Sequence, residues 1–199
     1  MRTLLTLTSF LVVSLLDNAC SGDLPTGVDA SSLTPSAQFS AQAGNPVVLA
    51  VRGSGHFTSS VLPEEDAWRN ISFNANKRAD GSVTGEIQLK NRETGVTYHG
   101  DMICAAYVEG SDPPVYALAA SDERVVGDGG AAMGEVVWAV RDNGQGANSD
   151  PDQITFWAWF PAGVGTYLCE NLAAFYTMAE VEALLIPVEA GDISVETSD

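Results

Sequence analysis

Ile71-Ser72-Phe73-Asn74-Ala75-Asn76, then Asp80-Gly81, then Val83-Thr84-Gly85-Glu86-Ile87-Gln88-Leu89-Lys90: the reading of this stretch decides the fold class. Ile71, Phe73 and Ala75 alternate with Ser72, Asn74 and Asn76. After Asp80-Gly81 the alternation resumes, with Val83, Gly85, Ile87 and Leu89 against Thr84, Glu86, Gln88 and Lys90. A period of two sends successive side chains to opposite faces of a strand, and Asp-Gly between two such runs is a tight-turn signal. The stretch predicts an antiparallel hairpin with one face buried and the other in water.

The same reading extends in both directions. Upstream, Val47 to Thr58 is a strand interrupted by Gly53 and Gly55, which mark a bulge or sharp bend. Downstream, the Asn91 to Gly95 turn leads into a long strand in which Val96, Tyr98, Met102, Cys104 and Ala106 share one face, so Cys104 is expected to point inward. On the other face lie Thr97, His99 and Asp101. Val115 to Ala120, Gly134 to Arg141 and Ile154 to Phe160 are further strands, separated by Asp112-Pro113-Pro114 and by the Gly-rich Gly127 to Gly130. Ile154 to Phe160 is apolar on both faces and is expected to be central or covered by the segment after it. Val181, Leu184 and Leu185 at helical spacing predict one short helix over Met178 to Ile186, and Ile193 and Val195 a final short strand. The expected fold is all-β: an antiparallel meander of about eight strands closing into a barrel, with a two-sheet β-sandwich as the alternative.

The chain has 199 residues, enough for one domain with a substantial core. With 45% hydrophobic and 18% charged residues, 19 Gly and 9 Pro, it suits a turn-rich β domain better than a helical bundle. Nine Lys and Arg stand against 26 Asp and Glu, a formal net charge of -17. Such a surface repels phosphates and anionic head groups, so nucleic acid is excluded as a partner.

Residues 1–19 read as a signal peptide: Arg2, an apolar run from Leu4 to Leu16, then Ala19 just before Cys20. The run is cut by Asp17 and Asn18 and falls short of the roughly 20 apolar residues a membrane span needs. Cys20 after Ala19 resembles the bacterial lipoprotein signal, which implies a diacylglyceryl thioether on Cys20 and contact with the membrane only through that lipid. The signal departs from the pattern at Asp17, where an aliphatic residue is usual, and plain secretion is the alternative. Residues 20–45 read as a flexible tether and 46–199 as a single β domain. Cys104 and Cys169 are the other two cysteines. In an oxidising compartment they predict a disulfide closing a loop of roughly 65 residues and restricting the unfolded chain by about 4 kcal/mol.

The runs Gly53-Ser54-Gly55-His56-Phe57, Phe73-Asn74-Ala75, Gly81-Ser82-Val83-Thr84-Gly85, His99-Gly100-Asp101 and Asp142-Asn143-Gly144-Gln145-Gly146 together resemble a group of uncharacterised bacterial exported β domains akin to those called post-COAP-1 domains. The similarity runs from Val51 to about Asn171. It implies an envelope or extracellular β module and supplies no catalytic residue.

Asp142, Asn143, Asn148, Asp150 and Asp152 gather hard oxygen donors in one loop, the chemistry of a Ca²⁺ site, although the spacing is not that of an EF-hand and turns favour the same residues. No other cofactor is implied. His99 and Asp101 share a strand face that Glu86 could join, and Glu64, Glu65 and Asp66 form an acidic turn before Trp68. No nucleophile elbow, zinc, phosphate-binding or dinucleotide motif is present in the sequence. The expected function is therefore a non-enzymatic exported or lipid-anchored envelope module that binds a protein, glycan or small-molecule partner. Two alternatives stand beside it: a barrel of lipocalin or avidin type with Phe73, Tyr98 and Trp138 lining a pocket, and a secreted hydrolase using acidic residues.

Overall fold

The computed structural model describes residues 44–59, 67–127, 134–146 and 148–198. The signal peptide, Cys20, nearly all of the tether and the Glu64-Glu65-Asp66 turn lie outside them. The chain divides into two units, Met1–Ala37 and Gln38–Asp199, and the described residues all belong to the second.

Among the described residues the strands are β1 (Val47–Ser59), β2 (Ala67–Arg78), β3 (Val83–Asn91), β4 (Thr97–Tyr107), β5 (Tyr116–Val126), β6 (Glu135–Arg141), β7 (Gln153–Phe160), β8 (Ile186–Pro187) and β9 (Ala190–Thr197). They form one antiparallel sheet in the order β8-β7-β6-β5-β4-β3-β2-β1-β9, curled into a half-barrel. Each strand from β1 to β7 pairs with its neighbour in sequence, as a meander requires. The last segment joins the two sides: Ile186 and Pro187 pair with β7, the Val188 amide donates to the Asp152 carbonyl, the Glu189 amide donates to the His56 carbonyl, and β9 then runs along β1.

The β2–β3 hairpin forms where the alternation placed it. Gly81 turns with φ 87°, and its amide donates to the Arg78 carbonyl at 2.9 Å. The Asp80 carboxyl is held below the usual carboxylate range by the Ser82 hydroxyl and amide, and by Asn45. The β3–β4 turn is held by Asn91, whose side-chain oxygen accepts from the Glu93 and Thr94 amides.

Apolar side chains fill both faces of part of the sheet. Leu49, Val51, Phe57, Ile71, Phe73, Ile87, Leu89, Met102, Leu118, Trp138 and Ile193 fill the inside of the curl. On the outside of β4–β6, Cys104, Ala117, Ala119, Val137 and Ala139 meet Cys169, Leu172 and Val181. That second layer belongs to α1 (Val164–Glu170), α2 (Leu172–Phe175) and α3 (Met178–Leu184). The described C-terminal region thus has three short helices where the sequence predicted one. The strand buried on both faces is β6, every residue of which is buried. Ile154 to Phe160, expected to be central or covered by the segment after it, lies next to the end of the sheet, with only two-residue β8 beyond it, and that following segment covers it in part, Phe160 packing against the helical layer.

A register shift between Met102 and Cys104 corrects the expected face of Cys104. A bulge adds a residue to one strand and flips the alternation beyond it. Met102 and Ala105 therefore face the inner core, while Cys104 faces the helices and bonds Cys169 with 6.3 Å between Cα atoms.

Candidate binding surface

Wherever apolar side chains of β1–β5 turn inward, their neighbours must turn outward, and the helices leave most of that outer face uncovered. Strand pairing lines these outward residues up in rows across the sheet. One row runs His56, Asn70, Lys90, Thr97. The next runs Ser54, Ser72, Gln88, His99, Arg124, and a third runs Arg52, Asn74, Glu86, Asp101, Ser121. Side chains directly opposite in such rows sit close enough to interact.

The first two rows frame a groove of ≈ 630 Å³, floored by β1, β2 and β3 and edged by Thr97 of β4 and by Ala190 and Gly191 of β9. In it the His56 ring nitrogen Nδ1 pairs with the Asn70 side-chain oxygen at 2.5 Å, and the His56 ring lies 5.5 Å from the ring of Trp68. Trp68 is 46% exposed although it is one of the largest side chains in the protein.

The second and third rows meet in a smaller depression of ≈ 430 Å³ lined by Glu86, His99, Asp101 and Arg124. Here the structure brings together Glu86, His99 and Asp101 as the alternation suggested. Glu86 stands directly opposite Asp101, and Gln88 reaches His99 with 3.5 Å between the side-chain nitrogens. Glu86, Asp101 and Arg124 are all exposed, so their charges are screened by water.

The other expected sites are used differently. Asp142 and Asp152 are brought together, but against β9. Asp152 accepts from the Asn143 amide with one oxygen and from the Ile193 amide with the other, at 2.9 and 2.7 Å. Asp142 accepts likewise from the Gly144 and Val195 amides, at 2.7 and 3.0 Å. Asn143 donates to the Pro151 carbonyl, whereas Asn148 and Asp150 are exposed. Among the described residues no three His, Cys, Asp or Glu side chains gather in a way that could hold a metal ion.

Phe73 and Trp138 meet edge to face at 5.8 Å and are 4% and 0% exposed. Tyr98 packs on Trp159 at 4.8 Å beside an internal space of only ≈ 10 Å³, room for about one water. The rows of Ser, Asn, Gln and Thr, with Trp68 at their end, are a feature that the pattern of alternation alone does not single out. Their signal in the sequence is the run of neutral polar residues, Ser54, Asn70, Ser72, Gln88 and Thr97, among the outward positions, which also carry Arg52, Glu86, Lys90, Asp101 and Arg124.

Comparison with known proteins gives no family model, no curated protein and no solved structure that matches the chain significantly. The likeness to exported bacterial β domains rests on the short motifs alone. No helix among the described residues is long and apolar enough to cross a membrane, and the disulfide is compatible with an exported protein.

Proposed function

We propose that this chain is a non-enzymatic exported module, tethered to the cell envelope through lipid on Cys20, that works by binding a partner on the open outer face of its sheet. The observation that carries this reading is the packing of the interior among the described residues. A barrel that carries a small ligand inside needs a cavity of several hundred Å³, whereas the space beside Tyr98 is ≈ 10 Å³ and Trp138 is fully buried in side chains. The hydrolase reading has weaker support. Glu86 and Asp101 face each other, but both are exposed on an open surface, with nothing among the described residues to exclude water or hold a substrate across them.

The test is co-sedimentation with envelope fragments from the organism that makes the protein. A Cys20→Ser chain, which cannot carry the lipid, still sediments with the fragments. Adding Ser72→Arg and Gln88→Arg, which crowd the face without touching the core, releases it. Equal sedimentation of the two variants would reject the face as the binding surface. Intact mass of the natural protein checks the anchor separately: Cys20 to Asp199 with acyl chains and two hydrogens fewer is the expected species.

A further inference from the structure

We infer that the occupant of the ≈ 630 Å³ groove is a neutral glycan strand, an inference that rests on the binding reading above and names its partner class. The argument begins with what the groove lacks. The chain carries 26 Asp and Glu, yet among the described residues not one carboxylate side chain lines this groove. The acids closest to it stand at its margins and outside its lining: Asp192, opposite Ser54, accepts from Gln145 at 2.6 Å, Glu189 accepts from the Thr58 hydroxyl at 3.2 Å, and Glu86 lies one row beyond Gln88. A cationic partner would therefore find no counter-charge in the described lining. A polyanion would meet one ammonium there, on Lys90, against a net charge of -17 over the whole chain.

What the groove offers is neutral hydrogen bonding. Ser54, Ser72 and Thr97 bring hydroxyls, and Asn70 and Gln88 bring amides, each able to donate and accept. A polyhydroxylated strand presents the same mixture of donors and acceptors and loses no ionic hydration on binding. Trp68 lies just outside this lining, in contact with its His56. Held at one end against His56 and nearly half exposed, it offers an apolar ring face with a polar edge, which suits the C–H face of a pyranose.

A peptide would be poorly served here. The backbone groups of β2 and β3 are paired on both sides within the sheet, so a peptide lying over them has no strand to extend, and at the sheet's edge on that side Asp152 and Asp142 already occupy the Ile193 and Val195 amides of β9. A folded protein partner would want several apolar anchors, and the described lining of the groove holds no large exposed apolar side chain, Trp68 standing just beyond it against His56.

The experiment is native gel electrophoresis of the full chain through gels containing one soluble polymer each: hydroxyethyl cellulose, a β-1,3-glucan, a galactomannan, dextran, and alginate as the polyanionic control. The expected result is retardation by at least one neutral polymer and none by alginate. Trp68→Ala abolishes the retardation, and Asn70→Ala with Gln88→Ala weakens it about tenfold, the loss of roughly one good hydrogen bond. Thermal unfolding of each variant checks that it is folded, and the exposed Gln88→Ala alone provides a substitution with no claim on the core. Retardation by alginate equal to that by the neutral polymers overturns the inference, as does retardation that survives Trp68→Ala. If envelope co-sedimentation depends on the face but no neutral polymer retards the chain, the glycan is wrong and the binding face stands. If neither depends on the face, both fall.

Discussion

Asp152 shows how one side chain can hold a fold together. It is 8% exposed, and its two oxygens accept amides from residues on either side of a seam, Asn143 and Ile193. Strand β9 lies at the end of the sheet, where unpaired amides would invite another chain to pair. Asp152 and Asp142 occupy two of those amides, so the acidic loop protects an edge. Asp152→Ala leaves two amides without their partner and is expected to cost about 2–4 kcal/mol in denaturant unfolding, with faster hydrogen exchange at Ile193. Because these oxygens are already engaged, millimolar Ca²⁺ or a chelator is expected to leave the thermal midpoint unchanged; a rise with Ca²⁺ would show that the loop gives up its amides for the ion. Gly191 is as constrained as Asp152. Its φ is 136°, and a Cβ there would lie 1.9 Å from the Ser54 carbonyl oxygen, so Gly191→Ala must push β9 from β1.

At the scale of elements, the alternation of β2 and β3 was legible because each half-buried strand advertises its faces locally. The helices were less so. Between Val164 and Phe175 the buried Gly165, Cys169 and Leu172 do fall at helical spacing, but Val164, Tyr167 and Phe175 are exposed and as apolar as they are, which hides the stripe in the sequence. What starts α1 comes from a distant strand: Glu135 of β6 accepts from the Gly163 and Thr166 amides at 2.7 and 3.0 Å. The disulfide then ties α1 to β4. Replacing Cys104 and Cys169 with Ser together is expected to cost about 2–4 kcal/mol and to loosen the helical layer before the hairpins, which exchange at individual amides would reveal. Helix α3 carries its own signal, Thr177-Met178-Ala179-Glu180, and forms a capping box: the Thr177 hydroxyl accepts from the Glu180 amide, and the Glu180 carboxylate accepts from the Thr177 amide. These bonds from the Thr177 amide and hydroxyl hold the Glu180 carboxyl below its ordinary 4.5. A folded value below the unfolded one means a contribution fully present above pH 4.5 and lost as pH falls through the folded value. Glu180→Gln should remove that part of the acid dependence of stability, read as a flatter curve of unfolding midpoint against pH below about 5.

For the molecule as a whole, the decisive quantity is the volume inside the curl. Trp138, fully buried against Phe73, is the largest plug, and Trp138→Ala is expected to cost about 3–5 kcal/mol and to open a cavity that takes up a small apolar dye. The natural chain should take up none; uptake with an interior site in the natural chain would revive the ligand-carrying barrel. The sequence by itself determined the all-β class, the antiparallel hairpins, the pairing of Cys104 with Cys169 and the pool of polar residues on β1–β5, because alternation, turn chemistry and cysteine number are local or countable properties. Only the tertiary structure decided which face Cys104 takes, how Ile186–Thr197 joins β7 to β1, why the acidic loop grips β9, and that the neutral polar residues line one groove. Each of these depends on a register shift or a hydrogen bond between residues far apart in the chain, and a periodic pattern carries no information about a partner about 40 residues away, such as Ile193 for Asp152.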